Sequence, residues 1–320
     1  MSKIYDVIIL GAGPAGLSAG LYSGRARLST LIIEKGVDGG QIAITDEIEN
    51  YPGQIPDGET GPELIARFSK QAERFGCERV TDTINKVELK DKIKTIHCTN
   101  GTYQARTVVI ATGAHPRKIG CPGEDEFSGK GVSYCATCDA NFFEELEIYV
   151  IGGGDTAVEE AMYLAKFARK VSVVHRRDEL RAAKSIQERA FKTENLEFIW
   201  NAIPVELKGD GMLQTIVLED TKTGERREVH ADEDDGIFGC FVFIGYLPNS
   251  ELFKDQLETE WDYILTDEDM KTSVPGVFAA GDVRKKSLRQ VVTAAADGAI
   301  AAIQCEHYIN NNFSEEELQQ

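Results

Sequence analysis

No stretch of this 320-residue chain approaches the roughly 18 consecutive apolar residues of a membrane-crossing helix; the longest strand-like run, Phe238 to Leu247, is about half that. A surplus of positive charge is missing as well. Lys and Arg number 35 against 53 Asp and Glu, a formal net charge of −18. Phosphate backbones and anionic lipid repel such a chain, so nucleic acid and membrane surfaces are excluded as partners unless basic charge is gathered in one place. Cysteine is sparse and odd in number, seven in all, at positions 77, 98, 121, 135, 138, 240 and 305. That excludes a disulfide framework and points to a reducing compartment. The N-terminus runs from Met-Ser-Lys straight into the strand-like Ile4-Tyr5-Asp6-Val7-Ile8-Ile9-Leu10, without the charged, apolar and small-residue regions of a secretion signal. These absences predict a soluble, cytoplasmic protein.

What is present suffices for large cores. With 42% hydrophobic and 28% charged residues of both signs, there is ample apolar surface to bury. At roughly 100 to 200 residues per domain, the length suggests two domains. Two segments 141 residues apart read almost alike, each an apolar strand, a glycine-rich turn and a helix of small and apolar residues. The first runs from Val7-Ile8-Ile9-Leu10 into Gly11-Ala12-Gly13-Pro14-Ala15-Gly16, the second from Ile148-Tyr149-Val150-Ile151 into Gly152-Gly153-Gly154-Asp155-Thr156-Ala157. A second apolar strand follows each at crossover spacing, Ser29 to Ile33 and Val171 to Val174. Both are βαβ units of a parallel sheet.

Short alternating strands come next in each half: Lys86 to Leu89, Ile93 to Cys98 and Val108 to Ile110, then Leu196 to Trp200, Leu213 to Leu218 and Val242 to Ile244. Thr221-Lys222-Thr223-Gly224-Glu225 reads as a hairpin loop. The expected fold class is α/β, with two Rossmann-like dinucleotide-binding domains of the three-layer type, each with an added β-meander. Gly and Pro interrupt the chain at Ala114 to Lys118 and at Gly245 to Asn249, which read as linkers. The second domain, 116–247, is then an insertion in a discontinuous first domain, 1–115 and 248–320. Leu288 to about Asn310 has helical apolar spacing, and Ser314 to Gln320 reads as a solvated acidic end.

In the first fingerprint Gly11 permits a tight turn, Gly13 lets backbone amides approach a pyrophosphate, and Gly16 allows close helix packing. Glu34, 18 residues after Gly16, ends the second strand, where a carboxylate binds a ribose hydroxyl and repels a 2′-phosphate. This site suits FAD or NAD rather than NADP. In the second fingerprint, Gly152-x-Gly154-x-x-Ala157, the place of Glu34 is taken by His175-Arg176-Arg177. Arg176, Arg177 and Arg181 suit charge-assisted hydrogen bonds to a 2′-phosphate, hence NADPH. From Lys166 to Lys192 nine basic residues face three acids, a local +6 in a chain of −18; the alternative is a solvated basic helix face.

Cys135-Ala136-Thr137-Cys138-Asp139 is either a redox dithiol or half a zinc site. Zinc needs about four ligands, and the sequence has no second C-x-x-C and no H-x3-5-H, so no metal is assigned. Asp139 beside the second thiol suits the acid or base that thiol exchange requires, a helix cap being its plainer reading. The other five cysteines read as buried small hydrophobes. Ala111-Thr112-Gly113 follows a buried strand, and Ala279-Ala280-Gly281-Asp282 places an acceptor at a strand's carboxyl end.

With these residues the chain resembles the low-molecular-weight thioredoxin reductases over essentially its whole length. Beyond the fingerprints and the C-x-x-C, the resemblance is carried by Gly39-Gly40-Gln41, Glu49-Asn50-Tyr51-Pro52-Gly53, Ala111-Thr112-Gly113-Ala114 and Gly131-Val132-Ser133-Tyr134. It is carried also by His175-Arg176-Arg177-Asp178 through Arg181-Ala182, by Gly276 to Asp282, and by Leu288-Arg289-Gln290. The resemblance implies a homodimeric flavoenzyme with FAD in the first domain, NADPH in the inserted one and thioredoxin as acceptor. It implies FAD contacts from Gly11, Gly13, Pro14, Ala15, Gly16, Glu34, Lys35, Gly36, Gly39, Gly40, Gln41, Asn50, Thr112, Gly113, Asp282, Val283, Arg289, Gln290 and Val291. NADPH falls to Gly152, Gly154, Asp155, Thr156, Ala157, His175, Arg176, Arg177 and Arg181. By the same resemblance Cys138 faces the flavin, Cys135 attacks the thioredoxin disulfide, and the inserted domain swings about the two linkers. One departure is Ala140, where the family usually has glycine.

Other acceptors on the same scaffold are a glutaredoxin-like or peroxiredoxin partner, and ferredoxin is an alternative donor. The intact His175-Arg176-Arg177 speaks against ferredoxin as sole donor. From a different class, a non-catalytic NADPH or redox sensor would use the C-x-x-C as a switch or zinc clip.

Overall fold

The computed structural model describes residues 3–44, 48, 50–55 and 59–318; Glu49 lies outside the described residues. β1 (Ile4–Leu10), α1 (Pro14–Arg25) and β2 (Thr30–Glu34) open the chain, followed by α2 (Gly61–Arg74), β3 (Glu78–Thr81), β4 (Ile84–Glu88), β5 (Lys94–Cys98), β6 (Thr102–Ile110) and β7 (Ala114–Pro116). Next come β8 (Val132–Ser133), α3 (Ala136–Asp139), β9 (Glu147–Gly152), α4 (Asp155–Leu164), β10 (Lys170–His175), α5 (Lys184–Ala190) and β11 (Leu196–Trp200). β12 (Ala202–Asp210), β13 (Met212–Asp220), β14 (Arg226–His230), β15 (Gly239–Phe243) and β16 (Tyr246–Pro248) lead to β17 (Thr259–Glu260), β18 (Tyr263–Ile264), β19 (Val277–Ala279), α6 (Val291–Asn312) and α7 (Glu315–Leu318). The chain divides into two compact units: residues up to His115 together with those from Leu247 onward, and Pro116–Tyr246.

In the first unit the sheet order is β3-β2-β1-β6-β5-β4, with β19 also paired to β6. β3, β2, β1, β6 and β19 are parallel, and the unbroken apolar run of β1 is what burial on both sheet faces demands. Ile8, Ile9 and Leu10 are fully buried, each contributing about 1.5–3 kcal/mol of transfer free energy. The register sets Leu10 opposite both Ile33 and Ile110, and Ile110 opposite Ala279. Gly11, Glu34, Ala111 and Ala280 therefore leave the sheet at one edge. Long β6 serves two roles, pairing antiparallel to β5 with its first half and parallel to β19 with its second. α1 and α6 pack backbone to backbone: a Cβ on Gly298 would lie 2.0 Å from the carbonyl oxygen of Ala15.

In the second unit the order is β11-β10-β9-β15-β8, with every pairing parallel. Leu196 to Trp200 and Val242 to Ile244 belong to the sequence expectation of a meander, but β11 and β15 join the nucleotide-type sheet instead. For β15 the reason is burial: Gly-Cys-Phe-Val-Phe is covered on both faces, which an antiparallel half-exposed strand is not, while β11 is the partly exposed edge strand paired to β10. The antiparallel meander is β12-β13-β14, and Thr221 to Glu225 is indeed its hairpin turn.

The predicted linkers hold regular structure. β7 and β16 form a two-stranded ribbon; on one side of it Asn249 N donates to Gly113 O (2.9 Å), on the other Arg117 N donates to Gly245 O (2.8 Å). The two connections thus leave each unit side by side. The acidic end is also less free than expected, since Glu317 pairs with Lys92 and its carbonyl accepts from the buried Arg106. Among the described residues no helix is long and apolar enough to cross a membrane.

Candidate active site and nucleotide cradles

Aligned strand ends assemble the first cradle. Gly11 turns away from β1 at φ +105°, where a Cβ would lie 2.5 Å from the carbonyl oxygen of Ala111. A Cβ on Gly16 would lie 1.9 Å from the carbonyl oxygen of Gly11, so α1 sits directly on the turn. Gly13 is different: no protein atom lies within 4 Å of its Cβ position. It caps α1 without a side chain and precedes Pro14, which leaves first-turn N–H groups to an anion or to water. The Glu34 carboxylate accepts from Ala12 N (2.8 Å) and Gly36 N (3.1 Å), tying the turn to the following loop while each oxygen keeps a lone pair. Gly39 N donates to Ala12 O (2.8 Å), and Gly40 lies beside Gly13, while Lys35 and Gln41 are exposed.

The far side of this cradle is built by the chain's last third. Asp282 follows β19 and the turn at Gly281; its Oδ1 is buried without a hydrogen-bond partner. Burial pushes its carboxyl above the usual range, opposed by Lys286 and Arg289. An unmet buried acceptor costs about 1–3 kcal/mol, which a ligand hydroxyl at this place removes. Arg289 lies 4.3 Å over the Tyr263 ring with its Nε unpartnered, and Asn50 Nδ2 donates to Gln290 Oε1 (3.2 Å). Thr112 Oγ1 donates to Asn249 O (2.7 Å), Gly113 stands at φ +68°, and Val283 and Val291 are buried, leaving only their backbone to a ligand. Sequence reading missed Asp297, which accepts from Gly281 N (3.0 Å) and Lys286 Nζ (2.8 Å) and so shapes the turn. Its only signal is a lone carboxylate among the small residues of α6.

The second cradle repeats the scheme with other chemistry. A Cβ on Gly152 would meet Phe243 O at 2.5 Å, whereas none of the protein lies within 4 Å of that position on Gly154, the uncapped start of α4. Ala157 is buried beneath the turn and Thr156 is exposed. Asp155 Oδ1 accepts from Ala183 N (2.7 Å), and Arg181 N donates to Gly153 O (2.7 Å), so the arginine loop is fastened to the glycine turn. Arg176, Arg177 and Arg181 are exposed, and among the described residues no carboxylate pairs with any of them. His175 stands apart from them. It is 6% exposed, and its ring fills the space where a Cβ on Gly153 would be, 2.2 Å from Nδ1. Burial, reinforced by Arg176 and Arg177, lowers its pKa, so it supports the turn as a neutral side chain instead of offering a cation.

The dithiol leaves the same sheet edge. Ser133 ends β8 opposite Phe241, two residues before the partner of Gly152 on β15. Cys135 and Cys138 are joined in a disulfide, Cα to Cα 5.3 Å, across the first turn of α3. Ser133, 5% exposed, links both ends of the motif: its Oγ accepts from Cys135 N (3.1 Å) and donates to Asp139 Oδ2 (2.5 Å). Below, Glu124 accepts from Ile119 N, Gly120 N and Tyr134 OH (2.8, 2.7 and 2.8 Å), and Tyr246 OH donates to Tyr134 O (2.8 Å), anchoring the segment before the first cysteine. Among the described residues no three His, Cys, Asp or Glu side chains converge on a metal position.

A glycine turn, an acid at the end of the next strand, a second turn flanked by free arginines and a strand-end dithiol make a defined combination. Residues 5–298 match the model of the pyridine nucleotide-disulphide oxidoreductase family. A thioredoxin reductase of Peptoclostridium acidaminophilum is 59% identical over 98% of this chain and 100% of that protein. The chain belongs to the thioredoxin reductase family. A crystal structure of the thioredoxin reductase from Streptococcus pyogenes matches with 43% identity and a TM-score of 0.89, covering 97% of this chain and 100% of that one. That of Lactococcus lactis thioredoxin reductase in its FR conformation matches with 44% identity and a TM-score of 0.66, covering 96% and 99%. Membership makes the chain a flavoprotein disulfide oxidoreductase with FAD and NADPH as cofactors. The residues fit them: an unmet buried acceptor and an open Gly13 for one dinucleotide, an open Gly154 and unpaired guanidinium groups for the other. The departure at Ala140 is harmless to the family's dithiol, since its backbone is α-helical (φ −55°, ψ −40°) and its methyl group is buried in the core. Of the other cysteines, 77, 240 and 305 are buried, whereas 98 and 121 are half-buried rather than fully packed. Burial pushes the thiols of Cys77 and Cys305 up to about 12 and those of Cys98 and Cys121 to about 11, so none competes as a thiolate.

Proposed function

We propose that this chain reduces the disulfide of a thioredoxin at the expense of NADPH, using Cys135 and Cys138 as its redox dithiol and Asp139 as the proton carrier. The observation that supports it most directly is the closed Cys135–Cys138 pair beside a buried Ser133 that holds Asp139. FAD is assigned to 1–115 and 248–320 through the Gly11 turn, Glu34 and Asp282; NADPH is assigned to 116–247 through the Gly152 turn, Arg176, Arg177 and Arg181. When bound, the two cofactors supply the electron pair that opens the internal disulfide. Cys135, half-buried at the start of the short helix, then attacks an external disulfide as a thiolate, forming a mixed disulfide and releasing one thiolate. The Cys138 thiolate attacks the Cys135 sulfur, which releases the second external thiolate and restores the internal disulfide. Asp139 takes and returns the protons these thiolates exchange, and Ser133 fixes its orientation.

Dithiol and second cradle share one unit and the first cradle belongs to the other, so we infer that the inserted unit swings about its two connections. The enzyme is further proposed to be a cytoplasmic homodimer. The test is reduction of a disulfide dye by NADPH with catalytic protein and thioredoxin. Dye reduction should stop when thioredoxin or NADPH is left out. Glutaredoxin-like and peroxiredoxin acceptors, NADH and reduced ferredoxin run beside it; turnover only with one of these overturns the proposal.

A further inference from the structure

The arginines assigned to a 2′-phosphate have an awkward neighbour. Asp178 directly follows Arg176 and Arg177, and a carboxylate there repels a phosphate and competes for the same guanidinium groups. The structure shows this carboxylate engaged elsewhere, with its Oδ2 2.7 Å from Lys222 Nζ. Lys222 holds the Asp178 carboxyl below its usual range.

Lys222 comes from the turn between β13 and β14, 44 residues further along, and its placement is built. Thr221 N donates to Asn201 O (2.7 Å), Asn201 N donates to Arg177 O (3.2 Å), and Thr221 Oγ1 donates to Arg176 O (3.1 Å). Inside the turn, Asp220 Oδ1 accepts from Lys222 N (2.7 Å) and Thr223 N (2.9 Å). The turn of a hairpin outside the nucleotide-type sheet is thereby clamped to the end of β10, where the arginines follow.

We propose that Lys222 is a specificity-determining positioning residue for NADPH: by occupying Asp178 it leaves Arg176, Arg177 and Arg181 uncompensated for a 2′-phosphate. This rests on the assignment of those arginines made above. Neutralising a neighbouring charge near the surface favours the phosphorylated ribose by a factor of about five and leaves an unphosphorylated ribose unaffected.

Calorimetric titration of the whole protein with adenosine 2′,5′-bisphosphate and with adenosine 5′-monophosphate separates the outcomes. Lys222→Met should weaken the bisphosphate about fivefold and leave the monophosphate unchanged. Asp178→Asn added to Lys222→Met should bring the bisphosphate back to within about twofold of the parent, because nothing is left to neutralise. Melting curves identify any variant that has not folded; Lys222→Gln then takes the place of Lys222→Met in the comparison, and Lys222→Arg, which keeps the charge, should bind the bisphosphate like the parent. Equal losses for both ligands, no loss for either, or a double variant as weak as the single one overturns the inference. A parent protein that binds both ligands equally overturns the 2′-phosphate assignment itself.

Discussion

Gly13 and Gly16 separate ligand binding from packing with one and the same added methyl group. In Gly16→Ala the new Cβ would lie 1.9 Å from the carbonyl oxygen of Gly11 and 3.3 Å from Ile9 Cγ2. The first contact is with backbone, which cannot rotate away, so α1 must shift off the turn. Overpacking of this kind costs roughly 1–3 kcal/mol, a fall of about 2 to 10 °C in the melting temperature of the flavin-free protein. In Gly13→Ala the Cβ meets no protein atom within 4 Å, and the backbone (φ −75°, ψ −177°) is open to alanine. Losing glycine at a helix start and restricting the unfolded chain are opposed effects of about 0.5–1 kcal/mol each, so the flavin-free protein should melt within about 2 °C of the parent. The methyl group instead fills the space assigned to the pyrophosphate and should weaken FAD about tenfold or more. The assay is apoprotein melting alongside FAD titration followed by flavin fluorescence. If Gly13→Ala melts as low as Gly16→Ala, or binds FAD like the parent, the assignment of the open side of the turn to the cofactor is wrong.

Three further outcomes follow, two from the dithiol and one from the second glycine turn. Cys138→Ser should keep the bleaching of the flavin by NADPH and lose disulfide reduction; retained turnover in the dye assay removes the dithiol from the mechanism. Ser133→Ala deletes a hydrogen bond to a carboxylate worth about 1.5–3 kcal/mol and should slow thiol exchange about ten- to a hundredfold, while the rate of NADPH-driven bleaching stays unchanged. His175 has a lowered folded pKa, so below its unfolded value of about 6.5 the unfolded chain binds a proton that the folded one refuses. Its contribution to stability is therefore complete above that pH and declines as pH falls, by up to about 1.4 kcal/mol per unit, and His175→Gln should flatten the slope of urea midpoints between pH 8 and 5. An unchanged slope contradicts the buried neutral imidazole.

Features that lie within a few consecutive residues were readable before any coordinates. The two glycine turns, the acid ending β2 and the C-x-x-C each depend on local backbone conformation or on neighbours in the chain. His175 shows where that stops. Its place in the chain corresponds to that of Glu34, but its side chain fills the space left by glycine at position 153, a contact set by how β10 lies beside β9. β15 departs from the sequence expectation for a related reason, since burial of both its faces depends on what covers the sheet, and β11 because its only partner in the sheet is β10.

Composition and local pattern by themselves determined two α/β halves, an acidic chain with one basic segment, and a C-x-x-C without a second cysteine pair. Tertiary structure alone decided which carboxylates are spent and which remain open. Glu34 is tied to backbone amides, Asp139 is held by Ser133, Asp178 is taken by Lys222, and Asp282 keeps a buried oxygen unmet. A charge acts through distance and burial, and for residues 44 positions apart in the chain these exist only once the sheet edges and the hairpin have come together.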